Sequence, residues 1–229
     1  MNALWKQIAS ALDEERYALL NRYLDLLLEA NKTMNLTRIV DRASAELLHI
    51  ADSLTLLPYL PATPHRLADI GSGGGVPGIP LAIVRPDADV TLIESTRKKG
   101  GFLEQAIKSL GLTNAKVIAD RAETIAHGPL REGFDIVTAR AVGGLDFLVE
   151  WCLPLVKKGG RILAMKGARI AEELPAAQRP IRLLGGGEPI VHEVKLPGTA
   201  NHVIVEIAKL GKTNAKYPRP PSEAKGKPL

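Results

Sequence analysis

The stretch that decides the fold is Leu67-Ala68-Asp69-Ile70-Gly71-Ser72-Gly73-Gly74-Gly75-Val76-Pro77-Gly78-Ile79. The residues before Gly71 are typical of a buried β-strand, and the apolar residues from Ile79 onward are typical of a helix. Glycine is favoured where a chain turns sharply and where a ligand must approach the backbone without a side chain between. We therefore predict a strand–turn–helix unit whose turn binds a ligand.

The flanking sequence repeats this alternation of strands and helices. Short β-rich runs occupy residues 66–70, 90–94, 116–119, 134–139 and 161–165, and helix-like stretches lie between them at 79–84, 97–110, 145–155 and 170–178. Such alternation predicts an α/β, Rossmann-like fold with a mostly parallel sheet. Two more strand-like runs, at 189–195 and 202–208, are joined by a short turn and predict an antiparallel edge.

The pattern divides the chain into three zones. Residues 1–60 are predicted to form a helical extension that packs on the core, because apolar residues such as Leu20, Leu24 and Leu27 recur at helical spacing. Residues 61–210 form the α/β domain. Residues 211–229 have no apolar periodicity and are predicted to be a basic, flexible tail.

Composition narrows the class of protein. Apolar residues make up 45% of the 229 residues, which predicts a packed core. There is no apolar run long enough to span a membrane and no secretory leader pattern, so we expect a cytoplasmic protein. A single cysteine, Cys152, excludes a disulfide framework and a cysteine-rich zinc site, and no metal is expected. Nothing in the pattern indicates an oligomer, so a monomer is favoured.

The net charge of +5 is concentrated at the C-terminus. Residues 209–229 hold six basic residues and one acidic residue, whereas the first 208 residues are neutral, with 24 of each sign. The tail is therefore either an electrostatic arm for a polyanion such as RNA or a solubilising end, and composition does not separate these alternatives.

The glycine-rich turn distinguishes between ligands. It lacks the Gly-Lys-Ser/Thr ending of a phosphate-binding loop, and Val76 occupies the place where the dinucleotide-binding pattern needs a third spaced glycine. Asp69 precedes the turn, where a carboxylate suits the cationic amine of S-adenosylmethionine better than a pyrophosphate. S-adenosyl-L-methionine is thus the predicted cofactor, and an oxidoreductase that binds a nucleotide cofactor on the same sheet is the alternative.

Two further acidic positions fit an adenosine. Glu94 ends the second predicted strand, where a carboxylate can accept hydrogen bonds from both ribose hydroxyls. Asp120-Arg121-Ala122-Glu123 follows the third strand, at the place expected to meet an adenine edge. Both observations serve either cofactor and so do not discriminate between them.

At this point the chain resembles the RsmG (GidB) family, which methylates a guanine at N7 in small-subunit (16S) ribosomal RNA. The resemblance rests on the continuation of the glycine turn through Val76-Pro77-Gly78-Ile79-Pro80, and on further blocks in family order. These blocks are Asn35-Leu36-Thr37, His49-Ile50-Ala51-Asp52-Ser53-Leu54, Glu94-Ser95, Lys98-Lys99, Arg121-Ala122-Glu123, Thr138-Ala139-Arg140-Ala141 and Lys166-Gly167. Asn201-His202 departs from it, because some members carry an arginine before that histidine.

The resemblance implies a role for each matching residue. The loop from Gly71 through Gly73 to Val76 would hold the methionine end of the cofactor. Glu94 would bind the ribose, and Ala122 and Glu123 would flank the adenine. The predicted catalytic cleft is lined by Arg140, which would also contact the cofactor, and by Arg121 and Lys166. Small-subunit rRNA, or its ribonucleoprotein, would be the partner.

Methylation at guanine N7 requires no acid–base catalysis by the protein. Guanine N7 has an in-plane lone pair and no proton to remove, so alignment and desolvation suffice and no general base is required. Cys152 lies in an apolar helical context, which favours a core residue over a nucleophile. A non-catalytic RNA-binding protein and a small-molecule methyltransferase remain as alternatives.

Overall fold

The computed structural model describes residues 12–197, 202–224 and 226–229. A single seven-stranded sheet has the order β3-β2-β1-β4-β5-β7-β6. Its strands are β1 (His65–Ile70), β2 (Ala88–Ile93), β3 (Ala115–Ile118), β4 (Phe134–Arg140), β5 (Val156–Lys166), β6 (Ile190–Val194) and β7 (His202–Ala208). The α-helices that follow or join these strands are α3 (Gly78–Val84), α4 (Arg97–Leu110), α5 (Ala122–Ile125), α6 (Leu145–Cys152), α7 (Ile170–Leu183) and α8 (Pro221–Ala224).

Two helical segments precede the sheet. Helix α1 spans Glu14–Met34. The second segment, α2, is a continuous helical run of three pieces: an α-helix at Arg42–Ala45, a π-helix at Glu46–Ala51 and an α-helix at Asp52–Leu54. A short 3₁₀ turn at Leu57–Tyr59 leads into β1. Residues 1–11, the first part of the predicted helical extension, lie outside the described residues.

The strand order reverses beside β1. The chain runs outward from β1 through β2 to β3, and then returns to place β4 on the other side of β1. The carboxyl ends of β1 and β4 therefore meet at a switch point, where ligands of open α/β sheets bind. β7 pairs antiparallel with both β5 and β6 at one edge of the sheet. The predicted fold class is confirmed.

Both faces of the central strands are covered. Leu67 and Ile136 face one apolar cluster, formed with α1, α3 and α4, whereas Ala68 and Val137 face a second cluster, formed with α6 and α7. Because neighbouring residues of a strand point to opposite faces, a strand buried on both sides needs apolar residues at successive positions, as Leu67-Ala68 in β1 and Ile136-Val137 in β4 provide.

Helix α1 packs directly on the glycine turn. Tyr23 and Leu27 are fully buried, and the Tyr23 hydroxyl donates a hydrogen bond to the carbonyl of Gly74, with an O···O distance of 2.8 Å. A Cβ at Gly74 would lie 2.8 Å from Leu27 Cδ1, so only glycine allows this approach without displacing Leu27. The N-terminal helices therefore support the turn. Among the described residues, no helix is long and apolar enough to cross a membrane.

The C-terminal segment, predicted from the sequence to be a flexible basic tail, makes hydrogen bonds to the rest of the chain. The Arg131 guanidinium donates to the carbonyls of Thr213, Asn214 and Tyr217, and Arg219 forms two hydrogen bonds through its side chain with the buried carboxylate of Glu150. These partners are distant in sequence, so no local pattern predicts them. The segment lies against α5 and α6, where the carbonyl of Pro218 contacts His127 just after α5.

The Arg219–Glu150 pair should contribute measurably to stability. In Arg219→Gln the carboxylate of Glu150, 1% exposed, loses its cation in a poorly solvated position. We expect a loss of roughly 2–4 kcal/mol in the free energy of unfolding, measured by urea denaturation. Arg182→Gln is the matched control, because Arg182 and Glu188 are 3.9 Å apart and mostly exposed. Its expected change is about 0.5 kcal/mol or less. Equal losses in both variants would contradict this role for the segment.

Candidate active site

The glycine turn has the backbone geometry of a ligand cradle. Gly71, Gly73 and Gly75 have φ values of +67°, +55° and +99°, a region that side chains rarely adopt. A Cβ on Gly71 would lie 2.2 Å from Val142 Cγ1, so Val142, in the connection between β4 and α6, packs directly against this glycine. A Cβ on Gly73 would meet only the Gly71 carbonyl oxygen, at 3.7 Å. The open space beside the turn is therefore at Gly73.

Asp69 lies beneath the turn. Its carboxylate is fully buried and accepts hydrogen bonds from Thr138 Oγ1 at 3.1 Å and from the backbone N–H of Gly78 at 3.2 Å. Burial raises the pKa of Asp69 to about 7, against the opposing effect of these hydrogen bonds. Both oxygens thus have protein donors, and the carboxylate fastens the turn to β4 and to the start of α3.

Glu94 joins the turn to β2. Its buried carboxylate accepts the backbone N–H of Gly73 at 2.9 Å and that of Thr96 at 2.7 Å. A carboxylate has about four acceptor sites, so two remain for hydroxyl donors. Glu94 could therefore still accept hydrogen bonds from ribose hydroxyls, and the ribose contact stays a prediction.

A cavity of about 180 Å³ lies beside the turn. The residues predicted for the adenine side come together in its wall. Arg121 donates to the carboxylate of Glu123 at 3.1 Å; Arg121 is half exposed and Glu123 is buried. Among its lining residues are Gly71, Ser95, Arg121, Ala122, Glu123 and Val142. Val76, predicted for the loop's ligand side, packs against the apolar core instead and lines neither this cavity nor the larger one described next.

A second cavity, of about 840 Å³, opens beyond the ends of β4 and β5. Two of the three predicted cleft residues, Arg140 and Lys166, line it, together with Asp52, Glu173 and His202, whereas the third, Arg121, lines the smaller cavity. Residues 141–144 separate the two cavities, because Val142 lines the smaller one while Ala141, Gly143 and Gly144 line the larger. The two cavities therefore adjoin across one short connection.

Arg140 is held by helix α2. Its guanidinium donates to the carbonyl of Leu48, to Asp52 Oδ2 at 3.0 Å and to His49 Nδ1 at 3.0 Å. His49 and Asp52 are three residues apart on α2, and both face Arg140. Burial, followed by the charge of Arg140, lowers the pKa of His49 to about 4. Since arginine only donates, the neutral ring accepts at Nδ1 and its Nε2–H donates to Thr37 Oγ1, at 3.0 Å.

Lys166 is held by a residue that the sequence did not indicate. Its ammonium donates to the carbonyl of Gly143 at 2.7 Å and lies 2.6 Å from Glu173 Oε2. The same carboxylate oxygen accepts the backbone N–H of Leu145 at 2.8 Å. Glu173 is thus a common anchor for Lys166 and for the connection between the cavities. No motif marked it, because its partners lie on other elements.

Other chemistries find no support in the described part of the chain. Cys152 is fully buried, and burial raises the pKa of its thiol, so it is a core residue as the sequence favoured. No group of three or more His, Cys, Asp or Glu side chains among the described residues is arranged to hold a metal ion.

Solved structures with the same fold identify its class. A S-adenosylmethionine-dependent O-methyltransferase from Thermotoga maritima matches with a TM-score of 0.53 at 14% identity, covering 82% of this chain and 73% of that one. An rRNA methylase from Streptococcus thermophilus matches with a TM-score of 0.51 at 17% identity, covering 76% and 99%. This chain has the fold of the S-adenosylmethionine-dependent methyltransferases.

Sequence comparison identifies the family within that class. The family model described as GidB, rRNA small subunit methyltransferase G, matches residues 16–203. The ribosomal RNA small subunit methyltransferase G of Chloroflexus aggregans is 43% identical, covering 91% of this chain and 88% of its own length, and that of Sorangium cellulosum is 45% identical, covering 92% and 87%. This chain belongs to the GidB family, so the resemblance seen in its motifs is confirmed.

The pKa of His49 predicts a pH-dependent contribution to stability. Between about pH 4 and 6.5 the unfolded state binds a proton that the native ring does not, so this contribution is complete above pH 6.5 and is lost as the pH falls. His49→Gln keeps an acceptor for Arg140 but does not titrate. The difference in unfolding free energy between wild type and variant should shrink by about 3 kcal/mol from pH 6.5 to pH 4. Parallel pH profiles would show that the native ring titrates normally.

Proposed function

We propose that this protein transfers a methyl group from S-adenosyl-L-methionine to N7 of a guanine in small-subunit (16S) ribosomal RNA. The observation that carries the proposal is the pair of adjoining cavities at the switch point of the sheet, in a chain of the GidB family. The smaller cavity would take the cofactor and the larger one the RNA base. We infer a monomer that acts in the cytoplasm, where this RNA would be its partner.

The glycine turn, Glu94 after β2 and the wall of the small cavity each present groups that fit the cofactor. The open space at Gly73 lets the methionine end approach the backbone of the loop from Gly71 to Val76. The two free acceptor sites of Glu94 suit the ribose hydroxyls, and Ala122 and Glu123, which line the small cavity, would flank the adenine. Asp69 acts by holding this loop in place, since its carboxylate is fully buried beneath the turn and bonded to β4 and α3. The cofactor would supply an electrophilic methyl group on a sulfonium.

The larger cavity suits a base that needs positioning more than activation. Arg140 and Lys166 are its candidate catalytic residues, and both are fixed by carboxylates before any substrate binds. Because N7 has no proton to lose, the protein has only to align its lone pair with the methyl group and exclude water. Arg121, which lines the smaller cavity, is half exposed and would be free to contact RNA phosphates.

Transfer of labelled methyl groups tests the proposal directly. Purified protein, labelled S-adenosylmethionine and small-subunit particles from cells that lack the protein should give 7-methylguanosine in the digested rRNA. The position of the label is then mapped by mass spectrometry of nuclease fragments. Label on another base only, or on protein only, would overturn the proposed reaction.

Gly73 provides a test of the cofactor site. Gly73→Asp places a side chain at a φ of +55°, in the open space and next to the carboxylate of Glu94. The affinity for S-adenosylmethionine, measured by calorimetry, should fall below detection while the protein stays folded. Gly101→Asp is the matched control, because Gly101 lies in α4 with nothing within 4 Å of the added Cβ. Unchanged affinity in Gly73→Asp would place the cofactor elsewhere.

A further inference from the structure

The ion pair between Arg140 and Asp52 offers a donor and an acceptor side by side in the wall of the larger cavity. Arg140 Nη1 and Asp52 Oδ2 are 3.0 Å apart, and both residues line the cavity. Arg140 uses both N–H donors of Nη1 on Leu48 and Asp52 and one of Nη2 on His49, so the second Nη2–H and the Nε–H remain for a base. Described residues occupy one acceptor site on each oxygen of Asp52, through Arg140 and His202. Donors and acceptors are thus left over on both members of the pair.

The Arg140–Asp52 pair is complementary to the Watson–Crick edge of guanine. The Watson–Crick edge of guanine presents an acceptor, O6, followed by two donors, the N1–H and the N2 amino group. Adenine presents the reverse, a donor followed by an acceptor. A cation beside a carboxylate therefore attracts guanine and repels adenine. Resting on the function proposed above, we propose that Asp52 and Arg140 recognise guanine in the cavity: Asp52 accepts from N1–H and N2–H, and Arg140 donates to O6.

Binding through this edge agrees with the position of methyl transfer. Contacts to N1, N2 and O6 leave N7 uncovered on the neighbouring edge of the ring. A protein that gripped N7 itself would block the lone pair that must attack. The proposed contacts thus select the base and leave its reacting atom accessible.

Glu173, the other carboxylate of the cavity, is less suited to this role. One of its oxygens already holds both Lys166 and the backbone N–H of Leu145. The ammonium of Lys166 is a point charge directed at Gly143 and Glu173, so it does not form a flat donor–acceptor edge as a guanidinium and carboxylate do. Asp52, in contrast, is fixed from two sides by Arg140 and His202, which orients its carboxylate before the base arrives.

Modified bases at the methylated position test the proposal. Once transfer has mapped the guanosine, the small-subunit RNA is rebuilt by ligation with inosine or 1-methylguanosine at that position alone. Inosine lacks the N2 amino group and 1-methylguanosine lacks the N1–H, while both keep N7. For the wild-type protein we expect kcat/KM to fall at least about tenfold on each, because a carboxylate built to accept loses its donor.

Variants then assign this selectivity to Asp52. In Asp52→Asn, transfer to guanosine should fall, and the ratio of kcat/KM for guanosine over inosine should drop to within about threefold of one. Asp89→Asn is the matched control: Asp89 is also paired with a cation, Lys116 at 3.0 Å, but lies at the amino end of β2, outside both cavities. It should keep the wild-type ratio.

The outcomes separate this inference from the function on which it rests. Absence of 7-methylguanosine defeats the proposed function. Equal wild-type transfer to guanosine and inosine, or full transfer to 1-methylguanosine, leaves that function intact and overturns the role of Asp52. A wild-type ratio retained in folded Asp52→Asn overturns it as well. If Asp52→Asn fails to fold, as judged by circular dichroism, the two wild-type measurements still decide.

Discussion

The buried carboxylate of Asp69 is the constraint on which the site depends. It connects the end of β1 to Thr138 on β4 and to the first N–H of α3 at Gly78. Burying a carboxylate is costly unless donors satisfy it, and here two elements, β4 and α3, each provide one donor. Both ends of the glycine turn are consequently fixed, one at the end of β1 and the other at the start of α3, and Gly73 lies on its open side. The sequence suggested that the Asp69 carboxylate binds the amine of the cofactor, whereas in the structure it holds the glycine turn in position.

The sheet alone does not complete the site, because the walls come from helices that precede it. Tyr23 of α1 fixes the turn through the Gly74 carbonyl, and α2 fixes Arg140 through Leu48, His49 and Asp52. A π-helical turn over Glu46–Ala51 forms the part of α2 that carries the first two of these, and π turns are frequent at functional sites. The helical extension is therefore as much a part of the active site as the strand ends.

Local pattern and long-range contact explain what the sequence could and could not predict. Strand β7 and helix α4 have the predicted bounds, and the mostly parallel sheet follows from the predicted alternation of strands and helices, because these features depend on residues adjacent in the chain. The contacts of Arg140 with α2, of Lys166 with Glu173 and of Arg219 with Glu150 bring together segments far apart in sequence. Motif resemblance placed Arg140 and Lys166 in one cleft, but only the structure supplies their anionic partners.

Those anionic partners offset the charge of two of the three arginine and lysine side chains that line the larger cavity, Arg140, Lys166 and Arg169, and this suits the proposed chemistry. A sulfonium donor is cationic, and so is a guanine methylated at N7; the transfer moves a positive charge from one bound group to another. A cavity lined by unpaired arginine and lysine would repel both the donor and the product. Here Asp52 neutralises Arg140, and Glu173 neutralises Lys166. Arg140 and Lys166 can therefore donate hydrogen bonds to the base. Their carboxylate partners reduce the electrostatic repulsion between these two cations and the positively charged cofactor or product.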